Sequence, residues 1–152
     1  MKKIVVNNKK ATFNYFLEYT VEAGMALLGS EVKSIRAGHV SIKESYIKES
    51  KGELFLCNSH ISEFPLANRF NHNIYRERKI LCHRKEINKI MGKVKMSGYT
   101  IIPTMLYFNE KNLAKLSIAV ARGKKLHDKR ESIKTREWNR NKDRILKIQN
   151  NV

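Results

Sequence analysis

The sequence predicts a mainly β protein: a small, partly open antiparallel barrel of about six strands, two or three short helices and a basic C-terminal tail. Three observations carry that expectation. Strand-like runs recur over roughly the first 120 residues with turn signals between them. Two short stretches switch to a helical period, and after Gly123 apolar residues thin out while basic ones persist. The 152 residues make one domain's worth of chain with an appendage, divided here into residues 1–121 and 122–152. A body of about 120 residues can bury a core without staples.

The opening "MKKIVVNNKK" lacks the run of about 7–15 apolar residues that a signal peptide needs. Phe13, Tyr15, Phe16 and Tyr19 follow, a spacing that reads chiefly as core, with base stacking as the alternative. Val21, Ala23, Met25 and Leu27 alternate, so "VEAGMALL" is a strand. Leu28, Val32 and Ile35 then fall at i, i+4 and i+7, predicting a short helix capped by Ser30 and ended at Gly38. "SYIKESKGELFLCNSHI" is a hairpin with Lys51-Gly52 at its turn. Residues 64–74, with Pro65 and several polar side chains, read as a loop.

"YRERKILCH" predicts a strand with a basic start, and "RKEINKIMG" a second helix with Ile87, Ile90 and Met91 on one face and Gly92 as its stop. "YTIIPTMLYF" and "LAKLSIAVA" are two strands joined by the polar turn "NEKN". Pro103 pushes the first toward a sheet edge or a bulge. The sum suggests a barrel of the OB type rather than a sandwich.

The chain holds 31 Lys and Arg against 14 Asp and Glu, a formal net charge of +17. Such an excess repels itself unless it meets a polyanion, so nucleic acid or an anionic membrane is the natural partner. No apolar run approaches the roughly 20 residues of a membrane span, so a cytoplasmic, membrane-free protein is expected. Cys57 and Cys82 are isolated and read as reduced, packed thiols. Grouping them with His60 and His83 around zinc fits neither the usual spacings nor strand alternation, and no metal or cofactor is expected.

The tail carries seven of the seventeen net charges, and its apolar residues are few: Leu126, Ile133, Trp138, Ile145, Leu146, Ile148 and Val152. Arg136, Arg140 and Arg144 fall at i, i+4 and i+8, like charges that cost an isolated helix a few tenths of a kcal/mol per pair. The tail is therefore expected to be disordered when free and helical on something negative.

Its first residues, "ARGKKLHDKR", admit three readings: a solvated segment, a catalytic cluster or a polyanion-binding arm. His127, Asp128, Lys129 and Arg130 are adjacent on one exposed segment, which does not hold a preorganised geometry, and no phosphate loop, nucleophile elbow or paired carboxylates appear elsewhere. No enzymatic activity is expected. Arg122, Lys124, Lys125, Lys129 and Arg130 suffice for several phosphate contacts, Gly123 lets a backbone approach, and His127 and Trp138 offer flat faces for stacking. A basic tail serving solubility alone remains the plain alternative. A second basic group, Arg76, Arg78, Lys79, Arg84 and Lys85, is either a solvated face or another RNA surface.

"EAGMALLGSEVKSIRAG", "RERKILCHRKEI", "GYTIIP" and "GKKLHDKRESIKTREW", in that order, closely resemble the SsrA-binding protein family, known as small protein B, over nearly the whole chain. The resemblance implies a non-enzymatic RNA chaperone of bacterial ribosome rescue. Its OB-like barrel would bind the tRNA-like domain of transfer-messenger RNA (tmRNA, SsrA RNA) and replace the missing anticodon arm. The tail would enter the empty mRNA channel of a stalled 70S ribosome near the decoding centre and fold there as a helix, with elongation factor Tu joined indirectly through aminoacylated tmRNA. A monomer is expected.

Carried over by motif, the tmRNA contacts would include Glu22, Leu81 and Lys115, to which the basic group adds Arg76, Arg78 and Lys79. For Leu81 the residues alone favour core packing. On the tail, Gly123, Lys124, Lys125, Asp128, Lys129 and Arg130 match the family's motifs for ribosome binding. His127 and Trp138 match positions that stack on ribosomal RNA, and Arg136, Arg140 and Arg144 continue the basic row. Asp128 would orient Lys129 or Arg130, or cap the tail helix. The chain departs from the pattern at Thr12, Phe13 and Asn14, where members usually carry a basic residue, a His and an acid before Tyr-Phe. The rival reading is a generic tRNA- or rRNA-binding OB protein with a basic ribosome-binding extension.

Overall fold

The structure, a computed structural model, describes residues 2–65, 71–95, 98–124 and 126–150. It is mainly β with a few helices. In chain order the elements are β1 (Lys3–Asn7), α1 (Lys9–Asn14), β2 (Tyr15–Met25), α2 (Gly29–Arg36), β3 (Val40–Ser41), β4 (Tyr46–Ser50), β5 (Glu53–Cys57) and β6 (His60–Ile61). After these come β7 (Arg78–Leu81), α3 (Arg84–Val94), β8 (Tyr99–Phe108), β9 (Ala114–Gly123) and α4 (Leu126–Asn150). The sequence suggested about six strands; the described residues hold nine.

Seven strands form one sheet in the order β1-β8-β4-β5-β7-β2-β9, and β9 pairs again with β8, so the hydrogen-bonded circuit returns on itself. Every pairing in this sheet is antiparallel. One face of the sheet carries the core, built from Val21, Ala23, Leu54, Leu56, Ile80, Ile101, Leu106, Leu116 and Ile118. Alternation explains the membership, since each neighbouring residue along these strands points the other way.

Lys51 (φ 52°) and Gly52 (φ 79°) form the two-residue turn between β4 and β5, as the dipeptide predicted. Pro103 sits at the predicted bulge, where the β8–β9 register shifts between Pro103 and Met105. β1 was not foreseen; it pairs with the far end of β8.

Both predicted helices form; α2 ends as expected just before Gly38 (φ 83°), but its start and the end of α3 differ from expectation. Ser30 does not cap α2: its hydroxyl meets His72 Nδ1 at 2.8 Å, and the N-cap position falls to Leu28, whose N–H donates to Glu31 Oε1 at 2.8 Å. Gly92 does not stop α3, which continues to Val94, because Ile87 and Ile90 anchor it in the core with Val94 packed against them. The loop expected at 64–74 lies partly outside the described residues; within it His72 is buried and donates or accepts at both ring nitrogens. Of the aromatics near the N-terminus, Tyr19 packs against the main core and Tyr15 against a second cluster around Ala11 and Ile102, but none is fully buried. Phe16 is exposed, Phe13, Tyr15 and Tyr19 are half-buried, and cations cover Phe13, Phe16 and Tyr19.

Candidate nucleic-acid interface

Strand alternation settles which side chains leave the sheet. Val21, Ala23 and Met25 point inward, so Glu22 and Gly24 point outward. In β7 Arg78 and Ile80 are buried, and Lys79 and Leu81 face outward. Register then brings the outward residues together: Gly24 lies opposite Leu81 on one side and Lys115 on the other. Glu22, Lys79, Leu81 and Lys115 thus line one open groove of about 470 Å³. Two neighbouring depressions, of about 330 and 400 Å³, share Lys115 and add Leu113 at the β8–β9 turn.

Leu81 is 50% exposed, so the core reading of that residue fails and the contact implied by the family motif is physically available. Gly24 makes the arrangement possible. A Cβ built there would stand 3.3 Å from Leu81 Cβ.

The groove is not uniformly basic. Glu22, Glu53 and Glu86 line it along with Lys79, Lys115 and His83. Lys79 Nζ lies 3.7 Å from Glu53 Oε2. Burial, aided by the Glu22 carboxylate, pushes the pKa of the buried Tyr107 phenol well up. Burial likewise pushes the Cys82 thiol up to about 11, with Glu86 adding and Lys115 opposing. Such a surface offers oriented acceptors for base amino groups and 2′-hydroxyls beside an apolar knob and a cation. It is more selective than a phosphate cradle.

Arg78 requires correction. Proposed from sequence as an RNA contact, it is completely buried. Its Nε donates to Glu31 Oε2 at 2.5 Å, Nη1 to Ser59 O and Oγ, and Nη2 to Asn73 O and Ile74 O, which uses all five N–H groups. The period-two pattern held the signal, since Arg78 shares a face with Ile80. Arg76 is partly exposed but engaged, with Nη2 donating to Glu31 Oε1 at 2.5 Å and to Ala26 O.

The tail residues lie elsewhere. Gly123 ends β9, and Lys124 donates from its backbone to Asn14 O and from Nζ to Thr12 O. Lys125 lies outside the described residues, and His127 and Asp128 are placed only as positions in the first turns of α4. Lys129 is half-buried; Arg130, Arg136, Trp138, Arg140 and Arg144 are exposed on α4. The Arg136 guanidinium stacks 5.5 Å from the Phe13 ring centroid, and Trp138 is 70% exposed. Sequence reasoning missed Gly24, Leu113 and His83 as parts of the surface; alternation along "LAKLSI" would have placed Leu113 and Lys115 on one face.

A strongly basic, mainly β chain with a mixed-charge groove around an exposed leucine, followed by a long basic helix, defines an RNA-binding protein. Comparison with known proteins places it more closely. The family model described as SmpB protein matches residues 5–148. An SsrA-binding protein of Rickettsia bellii (strain OSU 85-389) is 53% identical over 146 residues, covering 96% of this chain and 97% of the relative. One of Nitrobacter winogradskyi is 59% identical over 145 residues, covering 95% and 92%. Among solved structures, a chain described under "tmRNA-SmpB: a journey to the center of the bacterial ribosome" matches with TM-score 0.68 and 39% identity, covering 84% of this chain and 93% of that one. The chain belongs to the SmpB protein family.

Proposed function

We propose that this protein binds tmRNA and serves trans-translation, delivering that RNA to stalled ribosomes. The observation that carries the reading is the convergence of Glu22, Leu81 and Lys115 from three strands onto one exposed groove. Glu22 accepts from a base edge or 2′-hydroxyl, Leu81 packs against an apolar face of the RNA, and Lys115 meets phosphate. The closed strand circuit is read as an OB-like barrel that stands in for the missing anticodon arm, and the division at residues 121 and 122 separates it from the ribosome-binding tail. α4 is read as the bound form of that tail, ordered in the empty mRNA channel and less ordered in the free chain. The protein acts as a cytoplasmic monomer without catalysis, and elongation factor Tu joins through the aminoacylated RNA.

The test is binding to a tmRNA tRNA-like fragment against an ordinary tRNA competitor at near-physiological salt. Preference for the fragment, weakened at least tenfold by Glu22→Ala or Lys115→Ala, supports the reading. Equal binding to both RNAs favours a generic RNA-binding barrel instead. Deleting residues 131–152 is expected to spare fragment binding and abolish peptide tagging on stalled ribosomes. Loss of fragment binding on that deletion would refute the division of labour.

A further inference from the structure

α3 has a second, unassigned surface. Its inward face is apolar, with Ile87 and Ile90 buried and Met91 and Val94 packed against the core. Its opposite face carries Lys85, Asn88, Lys89 and Gly92, all exposed, with Lys93 beside them. Lys85, Lys89 and Lys93 repeat every four residues and so form one ridge about 12 Å long. Glu86 is the only acid between residues 84 and 95, and it turns away into the groove with Leu81 and Lys115. Lys89 and Lys93 lie over the Tyr19 ring, at 4.7 and 5.5 Å from its centroid, which restrains two of the three ridge lysines.

Gly92 is the telling residue. It lies inside α3 rather than after it, where glycine weakens a helix relative to alanine. Among the described residues nothing requires it there, since a Cβ at Gly92 would meet none of their atoms within 4 Å. A bare backbone amid a lysine ridge, with open space above it, suits close approach by an outside partner.

We propose that the outer face of α3 is a docking surface for the phosphate backbone of the same RNA that enters the Glu22–Leu81–Lys115 groove, with Gly92 as the point of closest approach. His83, the N-cap of α3, and Glu86 in its first turn also line the groove wall, so the two surfaces are continuous. This inference rests on the tmRNA reading above. The lysines supply sequence-independent attraction, and the groove supplies selection.

The experiment uses the full chain and the tmRNA tRNA-like fragment, with melting measured in parallel. Gly92→Ala is expected to raise Tm by about 2–4 °C, as a better helix former, and yet to weaken binding about threefold. Gly92→Leu is expected to weaken it tenfold or more. Lys85→Gln with Lys89→Gln should lower the magnitude of the log–log salt slope by about 1.4–1.8. Opposite signs in stability and affinity are not produced by a purely structural glycine. Unchanged affinity in Gly92→Leu, with wild type still preferring the fragment over tRNA, overturns this proposal and leaves the tmRNA reading standing. Absence of that preference in wild type overturns the tmRNA reading itself. Loss of ribosome binding with fragment binding intact assigns the ridge to ribosomal RNA and likewise overturns the proposal.

Discussion

Replacing Glu31 by glutamine is expected to cost more than any other single-atom change in the body. The Glu31 side chain is completely buried. Oε1 accepts from Arg76 Nη2 at 2.5 Å and from the Leu28 N–H at 2.8 Å; Oε2 accepts from Arg78 Nε at 2.5 Å and Arg76 Nε at 3.3 Å. Glutamine turns one of those acceptors into a donor facing a guanidinium and removes the charge that compensates Arg78. Arg76 can turn to water, being one-third exposed, whereas Arg78 cannot. Removing one partner of such a buried pair costs about 3–5 kcal/mol. That is a large share of the roughly 5–15 kcal/mol that holds a domain together. At about 2–4 °C per kcal/mol for a chain of this size, Tm should fall by roughly 6–20 °C. Thermal melts followed by far-ultraviolet circular dichroism give the difference directly. The pH dependence supplies a second check. Burial alone would raise the Glu31 pKa, but Arg76, the Leu28 N–H and Arg78 outweigh it and hold the carboxyl below its ordinary 4.5. A depressed folded-state pKa means the contribution is complete above pH 4.5 and is lost as pH falls through the lower, folded value. The gap between wild type and Glu31→Gln should therefore be constant near neutrality and narrow in acid. A gap under about 2 °C at pH 7, or one that persists undiminished at pH 2, refutes the argument.

Three further outcomes are expected. Affinity for the tRNA-like fragment should fall steeply with salt, each neutralised phosphate adding roughly 0.7–0.9 to the magnitude of the log–log slope; a flat response in a salt titration contradicts the charge argument. Gly24→Ala, whose Cβ would crowd Leu81, should leave the melt within about 1 kcal/mol but weaken fragment binding several-fold; unchanged binding means the Leu81 position is not critical. Alkylation of Cys82 at pH 7.5 should run about a hundredfold slower than that of an ordinary thiol, because so little of it is thiolate, and bound fragment should slow it further. Mass spectrometry of the two cysteines reads both effects.

Much of the architecture was legible because its signals are local. Lys51-Gly52 announces a turn needing positive φ, Pro103 announces a broken ladder, and Val32 and Ile35 announce a helix face, although Leu28, read with them, is the exposed N-cap. What stayed hidden depends on distant partners. β1 is a strand because Leu106, Tyr107 and Phe108 lie beside it, about a hundred residues away in sequence. Ser30 left the helix cap for His72, forty-two positions on. Of the candidate site, Glu22, Leu81 and Lys115 came from the family resemblance; alternation accounts for Glu22, Lys79, Leu81 and Lys115 facing outward, and Gly24 opposite Leu81 leaves it room. Arg78 misled because its charge suggested solvent, and only Glu31 on a separate helix, with three loop carbonyls, makes its burial tolerable. The N-terminal aromatics misled only in part: Tyr15 and Tyr19 pack against core clusters, whereas Phe13 and Phe16 are covered by cations.

The pairing of β2 with β9 also dictates an order of events during synthesis. Val21 waits for Ile118 and Ala23 for Leu116, so β2 must stand with an open edge until nearly a hundred further residues have been made. At about 5–20 residues per second that interval is roughly 5–20 s. Throughout it a long strand with an apolar face is exposed to pairing with other chains. Contacts of such long sequence separation also fold slowly once the chain is complete. The strand that carries Glu22 is thus the last to be secured, and the groove does not exist until β9 arrives to close it.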